Sequence, residues 1–233
     1  MNGTVRLVDS VPEAFAALVG AEVAAPADGC RLVLSGGGTA VECYAALAAR
    51  SVGEALDWSA VDVYLGDERC VPPDDADSNH RMIAATLLDA VGPVGSDHPM
   101  YVSGLPVAAA AAYQLLLAPL PDLGLVHLGL GPDGHTASLF PGSAALDDID
   151  PDHLVVANRD PNGVNPHDRL TLTYAGIARA RRVVVTVAGA SKRDAFARVA
   201  AGADLPAGRV TAPDLLWLVD SHALGDVPAD ETG

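Results

Sequence analysis

Arg31-Leu32-Val33-Leu34-Ser35-Gly36-Gly37-Gly38-Thr39-Ala40 runs from a leucine- and valine-rich segment, through three glycines, into an alanine-rich stretch that continues to Arg50. A short apolar run of this kind reads as a buried strand and the stretch after it as a helix, so the glycines mark a strand-to-helix turn. The same alternation recurs outward. Val61–Leu65 precedes a long loop and a helix through His80–Leu88, and a helix at Ala108–Leu117 precedes Leu123–Leu128. Leu154–Ala157, Leu170–Thr173 and Val183–Val187 lead to a helix at Lys192–Ala200, and Leu215–Val219 closes the series. Near the start, Val11 to Ala25 reads as an amphipathic helix. This alternation predicts one α/β domain over residues 1–233: a doubly wound, mostly parallel sheet with helices on both faces. The Pro- and Asp-rich segments 72–78, 141–152 and 160–168 read as loops, and 225–233 as a frayed tail.

The chain has 233 residues, with 14 Lys plus Arg against 30 Asp plus Glu, a formal charge of −16. Half the residues are apolar and 19% are charged, which suits a sizeable core and argues against wholesale disorder. Long-range repulsion argues against nucleic-acid or anionic-membrane partners. A small anionic ligand remains compatible, provided the fold builds a locally positive pocket. Cys30, Cys43 and Cys70 are widely spaced and form no CxxC pair, so a disulfide framework or thiolate zinc site is not expected and a reducing compartment fits. The N-terminus lacks a basic start followed by an apolar segment. The longest apolar window, Val107 to Leu120, has about 14 residues against the roughly 20 of a membrane span. A soluble, cytoplasmic protein is expected. Trp58 and Trp217 are read as core residues.

In such sheets ligands bind beyond the carboxyl ends of the strands, and four loops there carry chemistry. Ser35–Ala40 lets backbone approach a ligand closely, and Thr39 can cap a helix whose free N–H groups suit an anion. A tight turn without ligand is the other reading, and the spacing and lysine of a P-loop are absent. Gly66-Asp67-Glu68-Arg69, followed by Ser78 and Asn79, places three charges directly after a strand. Arg69 can offer a bidentate fork to phosphate, whereas a solvated loop with a local ion pair is the plainer reading. Ser78 or Asn79 is a natural helix N-cap.

The third loop is Gly129-Leu-Gly131-Pro-Asp133-Gly134-His135-Thr136-Ala137-Ser138-Leu139-Phe140-Pro141. Its glycines formally satisfy GxGxxG, but only a short helix fits before Pro141 and no strand ends in an acid about 20 residues on, so a dinucleotide fold is not inferred. His135, between a glycine turn and a capping Thr136, suits a general base. The fourth is Lys192, the only lysine in the chain, just after a strand. Together these loops bring Arg69, His135, Arg169 and Lys192 to one edge of the predicted sheet, which is the positive pocket a small anion needs. No GxSxG or HExxH occurs, so covalent serine catalysis and zinc hydrolysis are not expected. Histidine-activated water, with cations holding a phosphate, is the simplest remaining scheme.

These motifs, with His167-Asp-Arg-Leu-Thr171, Ala190-Ser-Lys192 and the ending Arg209-Val to Trp217-Leu-Val-Asp220, resemble the 6-phosphogluconolactonases in order from about residue 5 to 224. Leu170 stands where valine or isoleucine is more usual. The resemblance implies a sugar-phosphate isomerase type of fold and hydrolysis of 6-phospho-D-glucono-1,5-lactone in the oxidative pentose phosphate pathway, without metal or organic cofactor. It implies His135 as general base and Arg69 and Lys192 on the substrate phosphate, helped by Gly37, Gly38 and Thr39. Arg169 and Asn79 then frame the pocket or contact the sugar, and Asp67 and Ser78 complete the substrate-binding set. The implied partner is a small sugar-phosphate lactone, with a monomer favoured. Two competing readings are a glucosamine-6-phosphate deaminase and a non-catalytic sugar-phosphate sensor. Deaminases of that family carry Phe-Asn-Glu-Pro after the histidine, whereas here Ser138-Leu-Phe-Pro141 follows without a glutamate. A sensor of the transcription-regulator kind would need a basic helix-turn-helix, which is absent.

Overall fold

In this computed structural model the chain is described over residues 1–25 and 29–227. It runs β1 (Thr4–Leu7), α1 (Val11–Ala24), β2 (Cys30–Leu34), α2 (Gly38–Glu54), β3 (Val61–Leu65), β4 (Asp67–Arg69), α3 (Asn79–Ile83), α4 (Asp89–Val91) and β5 (Ser96–Asp97). There follow α5 (Pro106–Leu117), β6 (Leu125–Gly129), β7 (Val155–Asn158), β8 (Arg169–Leu172), α6 (Tyr174–Ala178), β9 (Arg182–Val187), α7 (Arg193–Ala200), β10 (Asp214–Val219) and α8 (Ser221–Leu224).

Seven strands form one parallel sheet in the order β1-β10-β9-β6-β2-β3-β5. Its central strands are apolar runs buried almost throughout, such as Leu125-Val-His-Leu in β6 and Val183-Val-Val-Thr-Val in β9, because helices cover parallel sheets on both faces. From β2 the chain builds outward to β3 and β5, then returns to place β6 on the other side of β2 and continues through β9 to β10. With right-handed crossovers, that reversal puts the helices of the two halves on opposite faces. It also leaves a crevice at the carboxyl ends of β2 and β6.

Local signals explain most boundaries. Ser10 caps α1, its hydroxyl accepting the Glu13 N–H, and Pro12 stands in the first turn. Ser78 caps α3 by accepting the Arg81 N–H. Trp58 and Trp217 are both buried in the core, and Trp217 Nε1 donates to the Asn2 carbonyl at 2.9 Å. Among the described residues no helix is long and apolar enough to cross a membrane.

Four expectations are corrected. Asp67-Glu68-Arg69 is a strand rather than a loop, and it pairs antiparallel with β8, which pairs with β7, in a separate three-stranded sheet. The helix expected through His80–Leu88 is α3 continued by a π-helical turn at Ala84–Leu88 and then α4, which keeps Leu87 buried. Thr39 does not cap α2: Gly37 is the N-cap residue and Thr39 lies inside the first turn. No helix follows Thr136, whose hydroxyl donates to the Gly129 carbonyl at 2.8 Å and closes a turn. Of the tail expected to fray, 228–233 lies outside the described residues.

One polar residue in the core joins sheet to crevice. His127, on β6, is fully buried, with Nδ1 at 2.8 Å from the Tyr44 hydroxyl and Nε2 at 2.8 Å from Thr186 Oγ1. The Tyr44 hydroxyl also donates to the Ser35 carbonyl at 2.9 Å, so both nitrogens of the neutral His127 ring are engaged, one as donor and one as acceptor. Desolvation pulls the His127 pKa down from 6.5 to about 3. The folded pKa lies below the unfolded one, so the stability this neutral histidine contributes is complete above pH 6.5 and is lost as pH falls toward 3. Full protonation costs on the order of 5 kcal/mol. Urea midpoints measured from pH 7 to 4 should fall more steeply for wild type than for His127→Gln. Equal slopes would show that other groups carry the acid sensitivity.

Candidate active site

The crevice is an open cleft with a cavity volume of about 170 Å³. Its walls come from the loops that leave three adjacent strands: Ser35–Ala40 after β2, Gly129–Phe140 from the end of β6, and Lys192 beyond β9. The small sheet closes the far side with Asp67 and Arg69 from β4 and Arg169 from β8.

The anion-binding end follows from backbone geometry. Gly37 has φ +108°, a conformation that a side chain would strain, and it turns the chain directly into the 17-residue helix α2. The first N–H groups of that helix have no intrahelical partner and face the cleft with the positive end of the dipole. A phosphate is the kind of ligand this arrangement holds.

Three basic side chains face the same space. Arg69 Nη1 donates to the Asp77 carbonyl at 2.6 Å, which steadies the side chain and leaves its other donors for a ligand. Arg169 is 5% exposed, and its buried Nε has no hydrogen-bond partner among the described residues. Arg69 and Arg169 are direct cross-strand partners in the β4–β8 pair, a like-charge juxtaposition that disfavours the unliganded sheet. Burial pulls the Arg169 pKa down from its ordinary value, opposed by the nearby Asp67 carboxylate. Lys192 is half-buried, and burial lowers its ammonium pKa against the attraction of Asp133. Among the described residues neither Arg169 nor Lys192 makes an ion pair.

His135 lines the same cleft. Its Nδ1 lies 2.5 Å from Asp133 Oδ1, and its backbone N–H donates to the same oxygen at 3.1 Å. Burial raises the Asp133 carboxyl pKa, but the hydrogen bond and charge of His135 outweigh it and hold Asp133 below the usual carboxylate range. Asp133 is therefore the acceptor, Nδ1 keeps the hydrogen, and the Nε2 lone pair is free to take a proton. Phe140 packs T-shaped on the imidazole with ring centroids 5.1 Å apart. Gly131 lies beneath the ring, where any Cβ would collide with it.

Of the residues singled out from sequence, Gly37, Gly38, Thr39, Asp67, Arg69, Asn79, His135, Arg169 and Lys192 all line the cleft. Ser78 does not: its buried hydroxyl donates to Glu68 Oε2 and caps α3. Asp67 faces the cleft with one oxygen committed to Ser138 Oγ at 2.6 Å, and the Asn79 amide donates to the Asp67 carbonyl at 2.9 Å. Sequence reasoning missed Asn165, held by two bonds to Asp160 in the 160–168 loop, and the wall residues Ser35, Ser138, Phe140 and Thr186. For Asn165 no spacing signal exists. Ser138 and Phe140 lay inside the His135 motif and could have been found from it.

The family described as glucosamine-6-phosphate isomerases/6-phosphogluconolactonase matches the chain over residues 4–217. A 6-phosphogluconolactonase of Mycobacterium tuberculosis is 37% identical, covering 96% of this chain and 95% of its own length. Another, from Nostoc sp., is 41% identical over 82% of each. The crystal structure of a 6-phosphogluconolactonase from Thermotoga maritima superposes with a TM-score of 0.79 at 28% identity, covering 94% of this chain and all of that one.

The half-satisfied Arg169 guanidinium, its buried Nε lacking a hydrogen-bond partner among the described residues, costs stability that a ligand can return. Arg169→Met should raise the unliganded protein's unfolding free energy, by about 1–3 kcal/mol, while weakening inorganic phosphate binding roughly tenfold or more. Thermal unfolding with and without phosphate reads both effects. A variant that is destabilised and still binds phosphate would refute this account.

Proposed function

The chain belongs to the glucosamine-6-phosphate isomerase/6-phosphogluconolactonase family, and from that membership we propose that it hydrolyses 6-phospho-D-glucono-1,5-lactone to 6-phosphogluconate with His135 as general base. The observation that carries the mechanism is the Asp133–His135 pair, which leaves Nε2 bare at a cleft whose other end is built for phosphate.

The substrate phosphate docks at the start of α2, against the N–H groups of Gly38 and Thr39 and the side chains of Arg69 and Lys192. Arg169 adds positive charge from the cleft wall, and Asn79 and Asp67 frame the sugar. Tethering the phosphate holds the lactone so that C1 lies near His135, which converts binding energy into orientation. A water then attacks C1 while His135 Nε2 takes its proton, and Asp133 stabilises the imidazolium that forms. Collapse of the tetrahedral intermediate breaks the bond from C1 to the ring oxygen. That oxygen leaves with the proton returned by His135, giving the open carboxylic acid, which ionises. Because a δ-lactone already hydrolyses readily, base catalysis of about 10²–10⁴-fold with positioning suffices. No covalent intermediate is needed.

The segment after His135 also favours hydrolysis over deamination. Ring opening in the deaminases uses a glutamate there, whereas here Leu139 is buried in the core and Phe140 packs on the imidazole. Three free thiols fit a reducing, cytoplasmic setting.

Turnover of freshly generated lactone, measured against its spontaneous hydrolysis, tests the scheme. His135→Ala should lose about 10²–10⁴-fold in kcat with KM little changed. Asp133→Asn should lose roughly 10²-fold by releasing the tautomer, and Gly131→Ala a similar factor by pushing the ring aside. Full activity in His135→Ala would eliminate the general-base role. No acceleration by folded wild type would eliminate the lactonase reading itself.

A further inference from the structure

Glu68 lies between two cleft residues in sequence, yet its side chain does not line the cleft. Side chains alternate along a strand, so with Asp67 and Arg69 turned to the cleft, Glu68 points the other way, into the protein. It is 1% exposed. Among the described residues no basic side chain pairs with it, and a buried carboxylate in that position is costly unless its oxygens are fully hydrogen-bonded. They are. Oε1 accepts the N–H groups of Arg69 and Asn79, each at 2.7 Å. Oε2 accepts the His80 N–H at 2.8 Å and the Ser78 hydroxyl at 3.1 Å.

Three of those four donors belong to the start of α3, and the fourth is the backbone of Arg69. We infer that Glu68 is a positioning residue: its carboxylate bolts β4 to the start of α3 and thereby fixes Arg69, which meets the phosphate, relative to Asn79, which frames the sugar. The Asn79 amide, donating to the Asp67 carbonyl at 2.9 Å, also ties β4 to α3, but it does not touch the Arg69 backbone. The segment from Cys70 to Asp77 that covalently joins β4 to α3 is a largely exposed excursion, and Arg69 itself is steadied by the Asp77 carbonyl within it. Releasing Glu68 loosens both ends of that excursion together and leaves the Asn79–Asp67 bond as the remaining tie. Desolvation raises the Glu68 carboxyl pKa, with the N–H groups of His80, Asn79 and Arg69 pulling it back. An apolar side chain here would orphan two first-turn N–H groups of α3.

Glu68→Gln is nearly isosteric but turns one acceptor oxygen into an NH₂ that faces two donors. The ligand assignment rests on the lactonase reading, so the primary readout avoids turnover: inorganic phosphate titrated by calorimetry into wild type and variant. Phosphate affinity should fall about tenfold in the folded variant. The lactone KM should rise by the same factor, with kcat within about threefold of wild type. A residue that only supports the fold would instead lower apparent kcat with the folded fraction and leave KM and phosphate affinity alone, and that result would overturn the inference. Should Glu68→Gln fail to fold, Ser78→Ala removes one donor and keeps the carboxylate. A drop of about threefold in its phosphate affinity supports the inference, and an unchanged affinity overturns it. Wild type that binds phosphate but does not hydrolyse lactone would overturn the proposed function and leave the Glu68 comparison decisive.

Discussion

The reversal of strand order between β2 and β6 is the constraint from which the rest of the molecule follows. Strands added on one side of β2 carry their connections over one face, and those added through β6, β9 and β10 carry theirs over the other. At the reversal the two sets of connections part, and three neighbouring strands release their loops into the same gap. The glycine turn, the Asp133–His135 turn and Lys192 thus converge although about 150 residues of sequence separate the first from the last. Convergence at the carboxyl ends also aligns the positive end of α2 with the gap.

Electrostatics then divides the molecule into two regimes. The surface carries a large excess of acid, whereas the cleft gathers Arg69, Arg169 and Lys192 with few neutralising partners. Such a concentration is unfavourable in the unliganded protein, and the fold maintains it with the β4–β8–β7 sheet. Antiparallel pairing fixes Arg69 opposite Arg169, while the alternation of a strand sends Glu68 inward as the anchor. Three successive charged residues thus have separate duties, because the pleat gives neighbours opposite faces.

The same residue type takes opposite roles within eight positions. His127 is enclosed by Phe15, Tyr44 and Thr186, and desolvation keeps it neutral and inert. Its work is structural: Tyr44 holds both backbone groups of Ser35, the residue that launches the glycine turn, and His127 holds Tyr44. His135 lies at the cleft beside a carboxylate, with one nitrogen committed and the other open. The difference lies in the environment, since the imidazole is common to both.

By itself the sequence determined the alternation of buried strands and helices, because apolar runs and the 3.6-residue period are local properties that survive any tertiary arrangement. It also marked the glycine turn, the His135 motif and the lone lysine, since each departs from its surroundings in composition. Tertiary structure decided the rest. Asp67-Glu68-Arg69 is too short and too charged to read as a strand, and only its pairing with β8, about 100 residues later, makes it one. Thr39 and Thr136 have the chemistry of caps, but the positive φ of Gly37 and the turn closed at Gly129 moved them out of those roles. Ser78 faces Glu68 rather than the cleft, and Asn165 reaches the cleft from a loop without pattern. Side-chain direction depends on long-range register and packing, which no local window of sequence contains.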